Sequence, residues 1–427
     1  MLEEATWYQK TCANNLNLSS LNTDANSQFL IVGAGLAGLS TAISLVELGG
    51  DALAQNIIVV DQDEPGAGAS GRNGGFVFGG YSLSGRALIQ QLGIDKARQL
   101  YQLSLEGVEL IRQRSKLYNI DCDINESGIL LANWLNSDVE LREYLEIQTQ
   151  LGQKLEYLEA GQVENWVNSP RYSSGLLERE AFHFHPLKYC QGLARELLSR
   201  GVRIYNKTQI DEVTSHENGW QAKSRDVSIE CEQIIIAGGG YQLGRPDKKL
   251  SRSVLPISTF VGVTEPLEDK IKQVLPGEAA VYDTRFAFDY YRPLADTRIL
   301  WGGRIGINIP GQSKIASLLE KDMLKVFPSL SDIRIESAWG GWMSYGRHEM
   351  PQLGQLKPGY WFAQGFGGHG MAPTTIAGKI MAQAMLAKSD GELGSFTHYP
   401  LTFMYGALGS VGAQMVYWYY QLRDRLS

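Results

Sequence analysis

The sequence predicts a mixed α/β fold, α+β over the whole chain, built from two lobes. An apolar run at residues 29–32 leads through a glycine-rich turn into a helix-like segment, the pattern of a sheet covered by helices. Short strand-like runs separated by Pro, Gly and Asp follow residue 255 and are typical of an antiparallel sheet. The chain of 427 residues is also longer than one ordinary core requires.

The first turn has the spacing of a dinucleotide fingerprint. Gly33, Gly35 and Gly38 follow the apolar run directly, and an amphipathic segment extends from Leu39 to Leu48. The first glycine allows a tight strand-to-helix reversal, the second lets backbone amides approach a pyrophosphate, and the third permits close helix packing. The helix N-terminus adds partial positive charge. The sequence therefore predicts dinucleotide binding rather than a tight loop alone.

A second apolar run, residues 57–60, ends at Asp61. A carboxylate at this distance from the glycines is placed to accept hydrogen bonds from a ribose diol, whereas an NADP site favours an arginine. The acid therefore supports an unphosphorylated adenosine ribose.

Periodicity along the rest of the chain predicts helices over 87–119, 137–153 and 186–200. Strands are predicted over 202–205, 210–214, 234–240, 260–263, 279–282, 286–292 and 298–303. Because one ligand must gather distant segments, we expect the second lobe to be inserted into the first. The predicted parts are a flexible arm (1–27), a discontinuous dinucleotide-binding domain (28–90, 181–250 and 336–392), a substrate domain (91–180 and 251–335) and a tail (393–427).

Composition excludes several classes of protein. The net charge of −7 and pI near 5.5 give no basic stripe for nucleic acid. The N-terminus lacks a signal-peptide pattern, and we expect a cytoplasmic protein. The widely spaced cysteines form no Cys-x-x-Cys pair, which argues against a zinc site or a disulfide framework. They are Cys12, Cys122, Cys190 and Cys231.

An uncharged stretch, residues 401–421, challenges this interpretation because it is just long enough to span a bilayer. Gly406, Gly409 and Gly412 weaken its hydropathy. We therefore favour a packed terminal element and keep membrane contact by the tail as the alternative.

Several motifs spread along the chain carry a family resemblance. They are Trp7-Tyr8, Gly-Ala-Ser-Gly-Arg-Asn-Gly-Gly at 68–75, His-Phe-His-Pro-Leu at 183–187, Asp-Tyr-Tyr-Arg at 289–292, Ala-Gln-Gly-Phe-Gly-Gly-His-Gly at 363–370, Ala-Gly-Lys at 377–379 and the ending at 421–426. With them the chain resembles the D-amino-acid-oxidase-like family of FAD enzymes.

The resemblance implies a Rossmann-like FAD-binding domain with an inserted substrate domain of mainly antiparallel sheet plus helices. It also implies hydride transfer from a carbon bearing nitrogen to the flavin. The residues it assigns to FAD are Gly33, Ala34, Gly35, Leu36, Ala37, Gly38, Asp61, Gln62, Ala69, Ser70, Gly71, Arg72, Asn73, Gly74, Gly75, Val213, Ala237, Gly238, Gly367, Gly368, His369, Gly370, Met371 and Thr374.

Within that set, Val213 matches a strand residue whose backbone meets the adenine, and the segment from Gly368 to Met371 opens the helix facing the flavin pyrimidine. Asp61 stands where the family usually has Glu. The segments that bind flavin covalently through Cys or His in some relatives carry neither residue here. We therefore predict non-covalent FAD.

Substrate contacts are expected on the antiparallel sheet and on the FAD side. The predicted catalytic residues are Tyr290, Arg292, Trp301, Arg347 and His369, with Tyr291, Arg304 and His348 as further candidates. Adjacent tyrosines point to opposite faces of a strand, so only one of Tyr290 and Tyr291 can face the flavin. An arginine facing the ring would pair with a substrate carboxylate.

His183 and His185 lie two residues apart, a spacing that a metal could use on one strand face. No third ligand is evident in the sequence. Core packing is therefore the better interpretation, and no metal site is predicted.

Three functions follow from these observations. The first is an FAD-dependent oxidase of an amine or amino acid, including gamma-glutamylated polyamines, that uses oxygen or another electron acceptor. The second is a dehydrogenase of the same chemistry that passes electrons to a quinone or partner protein. The third is an accessory protein whose FAD turns over no small molecule.

Overall fold

The computed structural model describes residues 5–13, 16–135, 137–225, 227–242, 244–285, 288–387, 391–406, 409, 412 and 414–415. Its helices are α1 Trp7–Thr11, α2 Leu36–Gly49, α3 Gly85–Leu92, α4 Ile94–Leu117, α5 Val139–Leu151, α6 Ala160–Val163, α7 Pro186–Ser199, α8 Lys248–Arg252, α9 Lys270–Val274, α10 Gln312–Val326, α11 Met371–Met385 and α12 Gly391–Gly394.

The strands form two large sheets and a small ribbon. They are β1 Ala25–Val32, β2 Ile57–Val60, β3 Phe76–Val77, β4 Ile129–Ala132, β5 Glu156–Glu159, β6 Ser174–Glu178, β7 Phe182–His183, β8 Arg203–Tyr205, β9 Glu212–His216, β10 Gly219–Ser224, β11 Val227–Ile236, β12 Leu255–Thr264, β13 Ala280–Asp283, β14 Tyr290–Pro293, β15 Ile299–Gly306, β16 Ile335–Tyr345, β17 Gln352–Lys357 and β18 Tyr360–Gln364.

The first sheet has the order β17-β18-β11-β1-β2-β8, with β10 and β9 extending from β11. The strands from β18 to β8 are parallel and strongly apolar because both faces of the sheet are covered. Ile31, Val59 and Ile235 belong to the core beneath α2, α4 and α11. Their neighbours along the strands pack on the other face, against the β9–β10 hairpin.

Helices α2 and α11 approach each other closely at Gly378. A Cβ on this glycine would lie 2.4 Å from the Ser40 Cβ, so a larger residue would force the helices apart. This contact sets the N-termini of both helices at the same edge of the first sheet.

The second sheet has the order β16-β12-β15-β14-β13-β4-β6-β5. Neighbouring strands are antiparallel except for the parallel pair β13 and β4. Helix α10 packs against β16 and β12. The mixed α/β class predicted from the sequence is confirmed, with the mainly antiparallel sheet in the second lobe.

The arm predicted to be flexible over residues 1–27 needs correction. Helix α1 begins at Trp7 behind a capping box formed by Thr6 and Gln9. Tyr8 is fully buried and packs with Leu187 and Trp339. The polar composition of the following residues concealed this aromatic anchor.

Helix α4 lies within 91–180, which the sequence assigned to the substrate domain. Its buried residues Leu100, Val108 and Ile111 nevertheless belong to the core of the first lobe with α2 and α11. Most of strand β16 lies within 336–392, which the sequence assigned to the dinucleotide-binding domain, but it pairs with β12 in the second sheet. The other domain boundaries stay a prediction.

The beginning of the predicted tail packs on the first lobe. Phe396 and Tyr399 are buried in its core, and the His348 Nε2 lies 3.2 Å from the Pro400 carbonyl oxygen. Most of the uncharged stretch at 401–421 lies outside the described residues. In the described part of the chain, no helix is long and apolar enough to cross a membrane.

Glu47→Gln is expected to lower the free energy of unfolding by about 3 kcal/mol, because it leaves the buried Arg114 guanidinium without its counter-charge. Glu47 accepts hydrogen bonds from Arg114 Nε and Nη2 at 3.0 and 2.6 Å, and the Arg114 side chain is 1% exposed. Urea unfolding measures the change. Glu143→Gln, in the exposed pair with Arg86, is the control and should cost less than about 1 kcal/mol. Equal losses of stability in the two variants would show that Glu47 is not an essential counter-charge for Arg114.

Candidate functional site

Two helix N-termini form the base of the candidate site. Gly33 adopts φ +115° at the end of β1, and α2 begins three residues later at Leu36. Helix α11 begins at Met371 after Gly370. Neither Gly35 nor Gly370 caps its helix with a side chain. Apart from the Leu36 amide, which donates to the Ser70 Oγ, the amides of the first turns can therefore donate to an anion.

The glycines of the turn are required by close backbone approach. A Cβ on Gly38 would lie 1.8 Å from the Gly33 carbonyl oxygen, and one on Gly33 would lie 2.7 Å from the Ala237 oxygen. The predicted Ala237 and Gly238 are therefore brought beside the fingerprint. These close approaches explain the need for glycine at positions 33 and 38.

Asp61 lies at the end of β2, beside the same turn. Its Oδ2 accepts a hydrogen bond from the Ala34 amide at 2.6 Å and its Oδ1 one from the Asp63 amide at 2.9 Å. Burial raises the pKa of this carboxyl to about 6. The Thr208 amide donates to the Asp61 carbonyl at 2.7 Å.

The predicted adenine contact Val213 lies in β9. It packs against the apolar cluster that contains Val60, the residue before Asp61, and it lines a surface cavity with Trp220 and Tyr360. The segment before β9, including Thr208, also lies beside Asp61. The predicted Gln62 is exposed next to it.

The predicted loop at 68–75 folds back on itself and on α2. The Ser70 Oγ accepts a hydrogen bond from the Leu36 amide at 2.8 Å. The Asn73 Nδ2 donates to the Ala69 and Ser70 carbonyls, and its Oδ1 accepts from the Gly75 amide at 2.8 Å. The loop thus has a defined shape beside the helix N-terminus.

Arg72 joins this loop to the second lobe. Its Nε donates to the Ala67 carbonyl at 2.7 Å and its Nη1 to the Gly340 carbonyl at 3.4 Å. The Trp339 indole donates to the Arg72 carbonyl at 2.9 Å. Burial lowers the pKa of the guanidinium, which nevertheless stays charged at neutral pH.

Arg292 holds the other side of the loop. Its Nε donates to the Gly74 carbonyl at 2.7 Å, and its Nη2 donates to the Phe184 carbonyl and the Tyr8 hydroxyl at 2.8 and 3.1 Å. The Tyr8 hydroxyl in turn donates to the Asn73 carbonyl at 3.0 Å. The expectation that Arg292 pairs with a substrate carboxylate is therefore corrected: it binds backbone carbonyls and positions the loop.

Trp301 and Tyr291 are also removed from the site. They stack in the core of the second lobe, with ring centroids 4.4 Å apart, and both are fully buried. The Tyr291 hydroxyl donates to the Tyr172 hydroxyl at 3.1 Å. Both faces of β15 are buried at this point, because Leu300 packs with Tyr8 in another apolar cluster while Trp301 packs against Phe327 in this core.

The remaining basic candidates do not converge either. Arg304 makes a bidentate ion pair with Asp322. His348 contacts Pro400, and Arg347 is exposed on the surface. None of these three lies in the group of aromatic rings that faces the loop.

These rings form a continuous group between the two lobes, here called the aromatic wall. Phe76 and Tyr290 have centroids 5.6 Å apart, Phe78 and Tyr282 5.6 Å, and Phe78 and His369 4.1 Å. Phe288 bridges the two tyrosines at 6.1 and 6.3 Å. The wall therefore brings the predicted Tyr290 and His369 together with four rings that the sequence analysis missed.

The wall lies against the loop at 68–75. A Cβ on Gly74 would be 2.6 Å from the Tyr290 Cε2, so Gly74 is needed for the contact. Burial lowers the pKa of His369 to about 4, which keeps its imidazole neutral at pH 7. Alternation of Phe76 and Phe78 after the glycine motif was the sequence signal for a shared face.

The histidine pair is structural. His183 ends β7, and its Nε2 lies 3.0 Å from the Glu278 carbonyl oxygen. His185 caps α7, where its Nδ1 accepts from the Lys188 amide. Burial lowers the pKa of both to about 3. Among the described residues no group of three metal-ligating side chains is present.

Comparison with known proteins identifies the family of this chain. The family model described as FAD dependent oxidoreductase matches residues 28–384. The chain belongs to this family of FAD-dependent oxidoreductases. The family resemblance inferred from the sequence motifs is thereby confirmed, and the helix N-termini, glycine turn and Asp61 are the groups that would hold the FAD of this oxidoreductase.

Named relatives agree. This oxidoreductase is 32% identical to gamma-glutamylputrescine oxidoreductase of Escherichia coli over the full length of both chains, which confirms the similarity of its motifs to that enzyme. It is 30% identical to the probable oxidoreductase OrdL of Haemophilus influenzae, covering 92% of this chain and 91% of the relative.

Solved structures show the same fold. Glycine oxidase from Bacillus cereus superimposes with a TM-score of 0.72 at 20% identity, covering 88% of this chain and 98% of the other. L-proline dehydrogenase from P. horikoshii does so with a TM-score of 0.71 at 15% identity, covering 85% and 94%.

Tyr8→Phe is expected to raise the dissociation constant of FAD about tenfold, because the loop at 68–75 loses a hydroxyl that bonds both Asn73 and Arg292. Fluorescence of released FAD measures the constant. Tyr172→Phe, which removes a buried hydroxyl in the other core, should leave it unchanged. A normal FAD affinity in Tyr8→Phe would show that the hydroxyl does not support the loop.

FAD affinity is expected to increase about tenfold between pH 5 and pH 7. Ribose hydroxyls donate to an ionised carboxylate, and the pKa of Asp61 is raised to about 6 before FAD binds, so binding below that pH must first remove a proton. Equilibrium dialysis across this range tests it. Asp61→Asn should weaken FAD binding and abolish the dependence of the affinity on pH. An unchanged pH dependence in this variant would show that another group titrates.

Proposed function

We propose that this oxidoreductase oxidises a C–N bond of an amine or amino acid. When bound, FAD would supply flavin N5 as the two-electron acceptor for the hydride that leaves the substrate carbon. The carbon–nitrogen product is an imine, and addition of water then releases an aldehyde or keto acid together with ammonia or a smaller amine.

The aromatic wall is the observation that carries this proposal. It faces the loop at 68–75, which the resemblance assigns to the flavin ring, and its rings come from both lobes. Aromatic faces attract a desolvated amine or ammonium group. The rings are only partly buried, and Phe288 is 42% exposed, so the bound substrate would itself displace water from the wall. A neutral amine lone pair assists loss of the hydride, so orientation matters more than a strong base.

The residues divide this work between them. Tyr290 and Phe288 would hold the substrate against the loop, and His369, neutral at pH 7, would border the reacting nitrogen without repelling an ammonium. The N-terminus of α11 would stabilise negative charge that develops at the acceptor. Arg292 and Tyr8 act as positioning residues through the loop.

Gamma-glutamylputrescine is the first substrate to test, since the relative named for it matches the whole chain. A cytoplasmic location is part of the proposal and is supported by the four free cysteines, which suit a reducing compartment. The electron acceptor is proposed to be oxygen, with a quinone or partner protein as the alternative outcome.

The experiment is an anaerobic titration of the purified holoenzyme, followed by its visible spectrum. Gamma-glutamylputrescine, putrescine, sarcosine, glycine and D-alanine are added in turn. Bleaching of the oxidised flavin bands by one amine supports the proposal and names its substrate class. If none bleaches a bound flavin, the accessory function without turnover is favoured. Oxygen is then admitted to the reduced enzyme. Rapid reoxidation of the flavin indicates an oxidase, and slow reoxidation indicates a dehydrogenase.

Tyr290→Ala is expected to lower kcat/KM at least about tenfold without loss of FAD, because the amine loses an aromatic face worth about 1 to 2 kcal/mol. Stopped-flow reduction of the flavin measures the effect. Phe403→Ala, an exposed aromatic residue outside the wall, is the matched control. Equal rates in Tyr290→Ala and wild type would remove this tyrosine from the substrate site.

A further inference from the structure

A second group of side chains lies behind the aromatic wall and is unlike it in chemistry. It consists of Tyr101 on α4, Tyr144 and Gln148 on α5, Gln153 just after α5, and Glu178 at the end of β6. We call this group the acceptor recess. None of its members was singled out by the sequence, because they come from three separate elements.

Glu178 is the charged member of the recess. It is 6% exposed, and its Oε2 accepts a hydrogen bond from the Gln153 Nε2 at 2.8 Å. In the described part of the chain no Lys, Arg or His forms an ion pair with it. Burial raises its pKa to about 7. A buried carboxylate without a cation lowers the free energy of unfolding. Glu178 therefore makes the fold less stable than a neutral residue would.

Three more polar atoms in the recess have no hydrogen-bond partner among the residues that the structure describes. They are the Tyr101 hydroxyl, the Gln148 Oε1 and the Gln153 Oε1, on side chains only 3, 6 and 7% exposed. Buried polar atoms are nearly always paired in folded proteins. Since all three can accept a hydrogen bond, the recess is complementary to a group rich in N–H donors and positive charge.

The recess adjoins the reaction site. A Cβ placed on Gly80 would lie 3.6 Å from the Tyr101 ring and 3.9 Å from the His369 Nε2. Tyr282 belongs to the aromatic wall, and its pKa is raised further by a hydrogen bond with Tyr144 and by the Glu178 charge. A substrate chain of a few carbons could therefore extend from the wall to the acceptors.

We propose that the acceptor recess binds a second, positively charged nitrogen of the substrate while the reacting amine lies at the aromatic wall. Glu178 supplies the counter-charge, and Tyr101, Gln148 and Gln153 accept the N–H groups. The substrate class is thus a diamine or an amine with a distal ammonium group, as in gamma-glutamylputrescine. This inference rests on the proposed amine oxidation.

The test compares two matched ligand pairs in the holoenzyme: putrescine with butylamine, and gamma-glutamylputrescine with its α-N-acetyl derivative. Within each pair, only the first member carries a distal cation. In Glu178→Gln, the preference in kcat/KM for the cationic member should fall about tenfold or more, with the neutral member unaffected. Glu180→Gln makes the same change at an exposed residue paired with Lys154 and should keep the preference. An unchanged preference in Glu178→Gln for both pairs would overturn the proposal.

Tyr101→Phe gives a second test that does not depend on folding of the Glu178 variant. Since no described residue bonds its hydroxyl, the melting temperature should stay equal or rise, while the preference for the cationic member falls. A lower melting temperature with the preference intact would identify a structural hydroxyl.

If no amine reduces the flavin, the proposed function fails but the recess can still be tested. Calorimetric titration of the holoenzyme with each pair then measures binding alone. Tighter binding of the cationic member that disappears in Glu178→Gln supports the recess. Equal binding of both members to the wild type contradicts the proposed recess. Its acceptor atoms would then bind water molecules.

Discussion

The rest of the structure depends on one buried guanidinium, that of Arg292. It extends from the second sheet and bonds carbonyls that belong to the loop at 68–75 and to the strand before α7. Backbone carbonyls in an apolar interior need donors, and a planar guanidinium can serve several at once. Through this residue the two lobes share one loop, and the reaction site forms where they meet.

Burial separates the two halves of the proposed substrate site electrostatically. At the aromatic wall it keeps His369 neutral, so an amine meets rings rather than charges. In the acceptor recess no cationic side chain of the described ranges pairs with Glu178, so a distal ammonium group would find its counter-charge there. The same desolvation therefore keeps the aromatic wall uncharged and makes the neighbouring acceptor recess selective for a cation.

The prediction of a strand, a glycine turn and a helix is confirmed because its signals are local. The glycine turn, Asp61 and the helix after the turn interact within one strand–helix–strand unit, and their spacing follows from backbone geometry. Other predictions failed because the decisive partner is distant in sequence. Arg292 meets Gly74, Trp301 meets Tyr291 and Phe327, and neither residue reveals in its own segment whether it faces the core or the site.

The sequence by itself determined the fold class, the dinucleotide turn and the family, since each follows from short spacings and alternating patterns. Only the tertiary structure decided which side chains form the proposed substrate site. The aromatic wall and the acceptor recess gather Phe78, Tyr101, Glu178, Tyr282 and His369 from separate elements. Their proximity results from the packing of two lobes, and packing joins residues that no local periodicity connects.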